Sequence, residues 1–155
     1  VSGEATLATE DGMPAMGVAE IEAFLERAFP QATVHGFVLD EITERGCQLS
    51  VRTDQRHLRP GGTVQGPVLM ALADTGTYLA ILGHLGPVAQ AVTSSLEMHF
   101  LRKAEAGVLV ARTRLVKVGR RLVVAQVEIG TPGAAELVAL ATVTYTLPGA
   151  AEVGS

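Results

Sequence analysis

The sequence predicts an α+β fold in which a curved antiparallel sheet wraps one long buried helix, with an extra helix ahead of it. Three observations carry that expectation. Residues 66–82 are largely apolar with Asp74 as their only charge, and Gly66-Pro67 opens the stretch while Gly83 and Gly86-Pro87 close it. A helix that is apolar nearly all round must be enclosed by other elements. Four stretches rich in Val, Leu and Thr follow, joined by short links. Short links between strands imply antiparallel neighbours, here a meander, and long strands suit strong curvature.

The elements read in order. Residues 1–17 are small and acidic, and are expected to form a flexible tail before a single domain over 18–148. Val18, Ile21, Phe24, Leu25 and Ala28 fall at helical spacing, and Pro30 ends that helix. Val34–Ile42 and Gly46–Arg52 read as a hairpin. Arg59-Pro60-Gly61-Gly62 reads as a loop. Pro67 just inside the long helix and Gly past its end fit the usual terminal chemistry. Strands are then expected over Val88–Leu101, Gly107–Val118, Arg121–Ile129 and Leu137–Leu147. In the first of these, alternation puts Val92, Ser94, Leu96, Met98 and Phe100 on one face. Thr93, Ser95, Glu97, His99 and Leu101 take the other.

Composition narrows the function. The chain has 155 residues, 48% apolar and 18% charged, with a net charge of −4. Disorder is excluded as the main state, and one core is expected. Charge is unevenly spread. Residues 1–26 hold Glu4, Glu10, Asp11, Glu20, Glu22 and Glu26 and no base. Residues 102–121 hold Arg102, Lys103, Arg112, Arg114, Lys117, Arg120 and Arg121 against Glu105 alone. One local basic segment on an acidic chain fits one anionic ligand better than general nucleic-acid binding. The single Cys47 excludes an internal disulfide and any cysteine-cluster metal site. No secretory signal is visible, and the 66–82 stretch reads better as a core helix than as a bilayer span. A cytoplasmic protein is expected, with no nucleic-acid or membrane partner.

Chemistry concentrates on the long helix. A carboxylate at Asp74 must be paired, hydrogen-bonded, protonated or functional. The plain alternative is a satisfied carboxylate that ties down a loop. Gly66 stands at the helix start, where N–H groups are unpaired and the dipole is positive, a place to hold a developing oxyanion. Pro67 removes a neighbouring donor, so the Gly66 N–H counts for more. Gly66 and Asp74 are about 12 Å apart along a helix. One carbonyl cannot meet both in one chain, so a joint role needs Asp74 from a second subunit with an antiparallel helix.

Gly66-Pro67-Val68-Leu69-Met70-Ala71-Leu72-Ala73-Asp74 resembles the helix start of the hotdog-fold acyl-CoA thioesterases, in their phenylacetate-degradation (PaaI-type) branch. His99-Phe100-Leu101-Arg102-Lys103-Ala104 with Gly107 resembles the family's strand exit. The resembling stretch runs from about Gly61 to Tyr145. It implies hydrolysis of an acyl- or aryl-CoA thioester to free acid and coenzyme A, which is part of the substrate and not a held cofactor. It also implies a homodimer at least, and a homotetramer where dimers pair. Asp74 would be the general base or nucleophile, the Gly66 N–H would polarise the carbonyl, and Thr93 would orient the water or the Asp. Thr93 reads equally as a plain strand threonine. Three positions depart from the pattern. Gln65 replaces a His, Arg59 an Asn, and Pro67 the second Gly. Gln65 still hydrogen-bonds but cannot carry a proton. Arg59 would weaken the base if beside Asp74, or would bind an acidic acyl group or the thioester oxygen; the plain alternative is a solvated loop arginine.

The remaining sites read more blandly. His35, His57, His84 and His99 are dispersed, and no metal site is expected. Glu97 and His99 share a face as a solvated or interface pair. Ser94 and Ser95 lack a nucleophile elbow. Arg102 and Lys103 are the better candidates for coenzyme A phosphates, while Arg112, Arg114, Lys117, Arg120 and Arg121 read equally as a solubilising rim. A non-catalytic acyl-CoA-binding protein of the same fold is the rival. A hydratase would want a His shortly after Asp74, and none is there.

Overall fold

A computed structural model describes residues 13–149. Helix α1 spans Val18–Ala28 and buries Ile21 and Leu25, the inward stripe of its apolar spacing. Phe29 breaks it, and Pro30–Thr33 continues as a 3₁₀ turn. Strands β1 (Val38–Thr43) and β2 (Gly46–Arg52) form the hairpin. Helix α2 spans Gly66–Leu85, and β3 (Val92–Phe100), β4 (Val108–Val118), β5 (Leu122–Gly130) and β6 (Leu137–Thr146) follow. The six strands form one antiparallel sheet ordered β1-β2-β4-β5-β6-β3, wrapped on α2 in the hotdog arrangement.

The expected meander holds only for β4, β5 and β6. Strand β3 pairs with β6 and not with β4, so it lies at the sheet edge. The link 101–107 spans up to about 24 Å when extended, enough to carry the chain past two strand ends. On the way it pairs with the loop before α2: Thr63 bridges Glu105, and the Val64 N–H donates to the Ala104 carbonyl at 2.8 Å. A short link therefore does not prove a hairpin when a third segment holds it across the gap.

Two strands also start later than expected. Val34 to Phe37 turn instead of extending, because Gly36 takes φ +72° and the Arg56 guanidinium donates to the Val34 carbonyl at 3.0 Å. Val88–Ala91 close a turn through a 3.0 Å bond.

Helix α2 is the centre of the core. Leu72, Ala73, Ala80, Ile81 and Leu82 are wholly inaccessible to solvent. Gly76 permits the approach to the sheet: a Cβ there would lie 2.6 Å from Thr113 Oγ1 and 3.2 Å from Leu49 Cδ1. By length and apolarity α2 could cross a bilayer, yet most of it is buried within the fold. Residues 1–12 of the expected tail lie outside the described residues. Within its last residues, Met16 is buried and its N–H donates to the Gly83 carbonyl at 3.2 Å.

One local irregularity positions the site. Strict alternation would set Thr93 and Leu96 on opposite faces of β3. The register instead shifts between Thr93 and Ser95, so that Thr93 opposes Tyr145 and Leu96 opposes Val143. Tyr145 and Val143 are both buried, on the face of β6 that meets α2. A β-bulge adds one residue and reverses the parity of the strand. Thr93, Leu96 and Met98 consequently all turn inward.

Candidate active site

Asp74 projects from the middle of α2 and is half-buried. Its Oδ1 accepts two hydroxyl hydrogen bonds, from Thr93 Oγ1 at 2.5 Å and from Tyr145 OH at 2.9 Å. The Tyr145 hydroxyl also lies 3.2 Å from the Asp74 carbonyl oxygen. Because Thr93 and Tyr145 are cross-strand partners, the sheet register delivers both donors to one oxygen. Burial pushes the Tyr145 phenol well above the ordinary tyrosine range, so it remains a donor. Oδ2 has no partner among the described residues. It is therefore the oxygen free to take a proton.

A cavity of ≈ 530 Å³ opens at this carboxylate. Phe29, Tyr78, Ala91 and Tyr145 line it along with Asp74 and Thr93. Tyr78 stacks on Tyr145 with ring centroids 6.3 Å apart, and Phe29 meets Tyr78 edge-on at 6.0 Å. The wall is thus largely apolar and aromatic, with one acid at its edge.

Gly66 lies in a different cleft, of ≈ 380 Å³, two turns earlier on α2. Arg59, Phe100, Arg102 and Lys103 line it too. The Gly66 N–H has no partner among the described residues, as expected for the first helical residue. The Phe100 ring closes over this end of α2, 3.4 Å from where a Gly66 Cβ would stand. The structure therefore groups Asp74 with Thr93, and Gly66 with Arg59, Arg102 and Lys103. It does not bring Asp74 and Gly66 together within one chain.

Other predicted residues take distinct places. Gln65 Nε2 donates to the Leu58 carbonyl at 2.9 Å and the Arg56 carbonyl at 3.3 Å. Its amide braces the loop that presents Gly66. Pro67 is exposed and lies outside the Gly66 cleft. Arg59 is exposed on the Gly66 side, away from Asp74 of the same chain. Arg102 is anchored to Glu136 Oε2 at 2.8 Å and to the Leu137 carbonyl at 2.9 Å, whereas Lys103 is an exposed cation on the same cleft. Arg112 and Arg114 line neither cavity, and Arg114 bonds Gln126 at 3.2 Å. Glu97 and His99 form an exposed pair at 3.2 Å.

Among the described residues no cluster of metal-binding side chains occurs. His57 is 2% exposed and structural. Its Nδ1 accepts from the Asp54 N–H, which leaves Nε2 to donate to the His35 carbonyl at 2.7 Å. Burial pushes the Cys47 thiol up to about 12, so it behaves as a core residue and not as a nucleophile.

Tyr145 is the residue that sequence reasoning missed. A signal existed. Ala139, Ala141, Val143 and Tyr145 alternate along the buried face of β6, and a buried tyrosine needs an acceptor for its hydroxyl.

Comparison with known proteins agrees with this fold. The thioesterase superfamily profile matches residues 61–137, which holds Gly66, Asp74 and Thr93. The chain belongs to the thioesterase superfamily, and the class of reaction this defines is thioester hydrolysis. A Pseudomonas aeruginosa protein bearing the name of an esterase is 31% identical over 113 residues, 72% of this chain and 83% of the relative. A structure from Silicibacter sp. TM1040, described as that of a thioesterase, is 34% identical with a TM-score of 0.75, covering 96% of this chain and 97% of its own. The phenylacetic acid degradation protein PaaI of Thermus thermophilus is 31% identical with a TM-score of 0.66, covering 76% of this chain and 97% of its own. These neighbours support the PaaI-type branch.

Proposed function

We propose that the protein hydrolyses acyl-CoA thioesters in a cytoplasmic setting, at a site that two subunits share. The single observation that carries this reading is the Asp74 carboxylate at an apolar cavity, with Oδ1 held by Thr93 and Tyr145 and Oδ2 unpartnered. Pinning one oxygen fixes the direction in which the other accepts. Asp74 Oδ2 takes a proton from water as the water oxygen attacks the thioester carbonyl carbon. The carbonyl oxygen becomes an oxyanion, which the Gly66 N–H of the other subunit stabilises. The carbon–sulfur bond then breaks, the coenzyme A thiolate leaves with the proton held on Asp74 Oδ2, and release of the acid returns the site to its starting carboxylate. Attack by Oδ2 itself, through an anhydride, uses the same residues. A single turnover in H₂¹⁸O tests the nucleophilic route, because label in Asp74 arises only when water opens the anhydride at the Asp74 carbonyl carbon. Coenzyme A enters as part of the substrate, and no separate cofactor is called for.

The shared site draws support from the edge strand. β3 has no neighbour on its outer side, and Val92, Phe100 and Leu101 there are each about half exposed. An open edge carrying apolar side chains favours pairing with another copy. An antiparallel pair of α2 helices would bring the Gly66 end of one to the Asp74 of the other. Lys103 and Arg59 then offer cations to the coenzyme A phosphates, and Gln65 and Arg102 hold the surrounding backbone.

Thiol release from a panel of acyl-CoAs tests the reading. Wild type should turn over at least one member, and Asp74→Asn should lose activity by about 10³-fold or more, the scale expected when a general base is removed from a preorganised site. Saturable binding without turnover would instead establish a ligand-binding protein on the same fold.

A further inference from the structure

The cavity at Asp74 shares part of its wall with another. A second chamber of ≈ 260 Å³ lies between α1, β1 and α2. Ile21, Leu25, Leu39, Leu49 and Leu79 line it, and each is at least nine-tenths buried. Ala32 and Thr75 line both chambers. Their placement is geometric. On α2, Ala71, Asp74 and Tyr78 face the first chamber, and Leu79 faces the second. Thr75 sits on the ridge between those faces, one step round the helix from Asp74 and one turn before Leu79. Ala32, from the 3₁₀ turn, lies across that ridge and carries the smallest side chain that is not glycine.

Resting on the thioesterase reading above, we infer that the two chambers form one acyl channel. The acyl group passes Asp74, crosses between Thr75 and Ala32, and ends beneath α1. The occupant is a straight alkyl chain. An aryl ring is accommodated by the first chamber and its stacked tyrosines alone, whereas the buried helix side chains of the second, Ile21, Leu25 and Leu79, are all aliphatic. Glu22 and Glu26 stand at the outer rim of the second chamber, where water begins, and they bound the channel with charges that repel a carboxylated tail. Helix α1 and the 3₁₀ turn lie outside the superfamily match over 61–137, so the length limit is set by this chain's own N-terminal elements.

The test compares kcat/KM for butyryl-, octanoyl-, dodecanoyl- and phenylacetyl-CoA. In wild type each methylene that enters the channel should raise kcat/KM about fourfold until the second chamber is full. Ala32→Phe places a ring across the crossing and should lower the dodecanoyl-to-butyryl ratio at least tenfold. Phe37 also lines the second chamber, so Phe37→Ala deepens it and should move the optimum to a longer chain, and the two variants shift the profile in opposite directions. Phe37→Ala decides alone if Ala32→Phe fails to fold. An unchanged length profile in the folded variants, or a wild-type preference for phenylacetyl-CoA over every straight chain, would overturn the channel and leave the hydrolase intact. No thiol release from any member would overturn the hydrolase reading, and the channel with it.

Discussion

A single oxygen atom organises the site at the scale of residues. Asp74 Oδ1 accepts from both Thr93 and Tyr145, and each donor is itself placed by the other's strand. Tyr145→Phe deletes one donor while keeping the ring that stacks on Tyr78. A hydrogen bond to a charged group contributes about 1.5–3 kcal/mol. The expected outcome is a kcat lowered about tenfold or more with KM within about twofold. Steady-state kinetics on one good acyl-CoA checks it, and a rise in KM with kcat unchanged would assign Tyr145 to substrate binding. Asp74 was legible in the sequence because a charge in an apolar helix stands out against its surroundings, whereas Thr93, next to Ser94 and Ser95, was marked only by the family resemblance. Tyr145 was not singled out, because a tyrosine on a core face reads as packing until its acceptor is located. Gln65 was legible as a departure from a pattern, but its role in bracing residues 56–58 depends on a loop path that local spacing does not encode.

Among elements, the fit of α2 into the sheet depends on where glycine permits close approach. A Cβ on Gly46 would collide with the Thr113 carbonyl oxygen, which is backbone within β4. Nothing can yield there without parting β2 from β4. Gly46→Ala should therefore cost about 3 kcal/mol or more. The three atoms nearest a Cβ on Gly83 would all belong to the Ile42 side chain, Cδ1 at 2.8 Å and Cγ2 at 3.2 Å among them, and none to backbone. Its cost is offset by the roughly 1 kcal/mol that alanine gains over glycine inside a helix. Urea unfolding midpoints should fall sharply for Gly46→Ala and stay close to wild type for Gly83→Ala. Equal effects would mean that the clash at Gly46 is relieved by a backbone movement. The elements themselves were largely legible. Their periodicities place α1, α2 and most of each strand. What the pattern could not deliver was the order of strands in the sheet, because the 101–107 link is short in sequence yet crosses between distant strands under the hold of Thr63 and Val64.

For the whole molecule, the decisive fact is that Gly66 and Asp74 face separate clefts two turns apart on one helix. A shared site makes a direct prediction. Asp74→Asn and Gly66→Pro, each inactive alone, should regain about a quarter of wild-type activity when unfolded together and refolded as a mixture. Half of the dimers are then mixed, and each holds one intact site out of two. No recovery in a mixture shown to contain mixed dimers would place both residues in one chain's site. That partition was legible from the sequence, since helix rise alone separates the two residues; the Arg59 and Lys103 side of it was not, because a loop and a strand exit meet there only in the folded chain. If two subunits share the site, the same separation on α2 has a genetic consequence. A subunit defective only at Asp74 leaves a wild-type partner with one working site. A subunit defective at both positions spoils both sites of any partner it joins. In a cell making equal amounts of each, the double variant would act as a dominant inhibitor, and the single variants would not do so to the same degree.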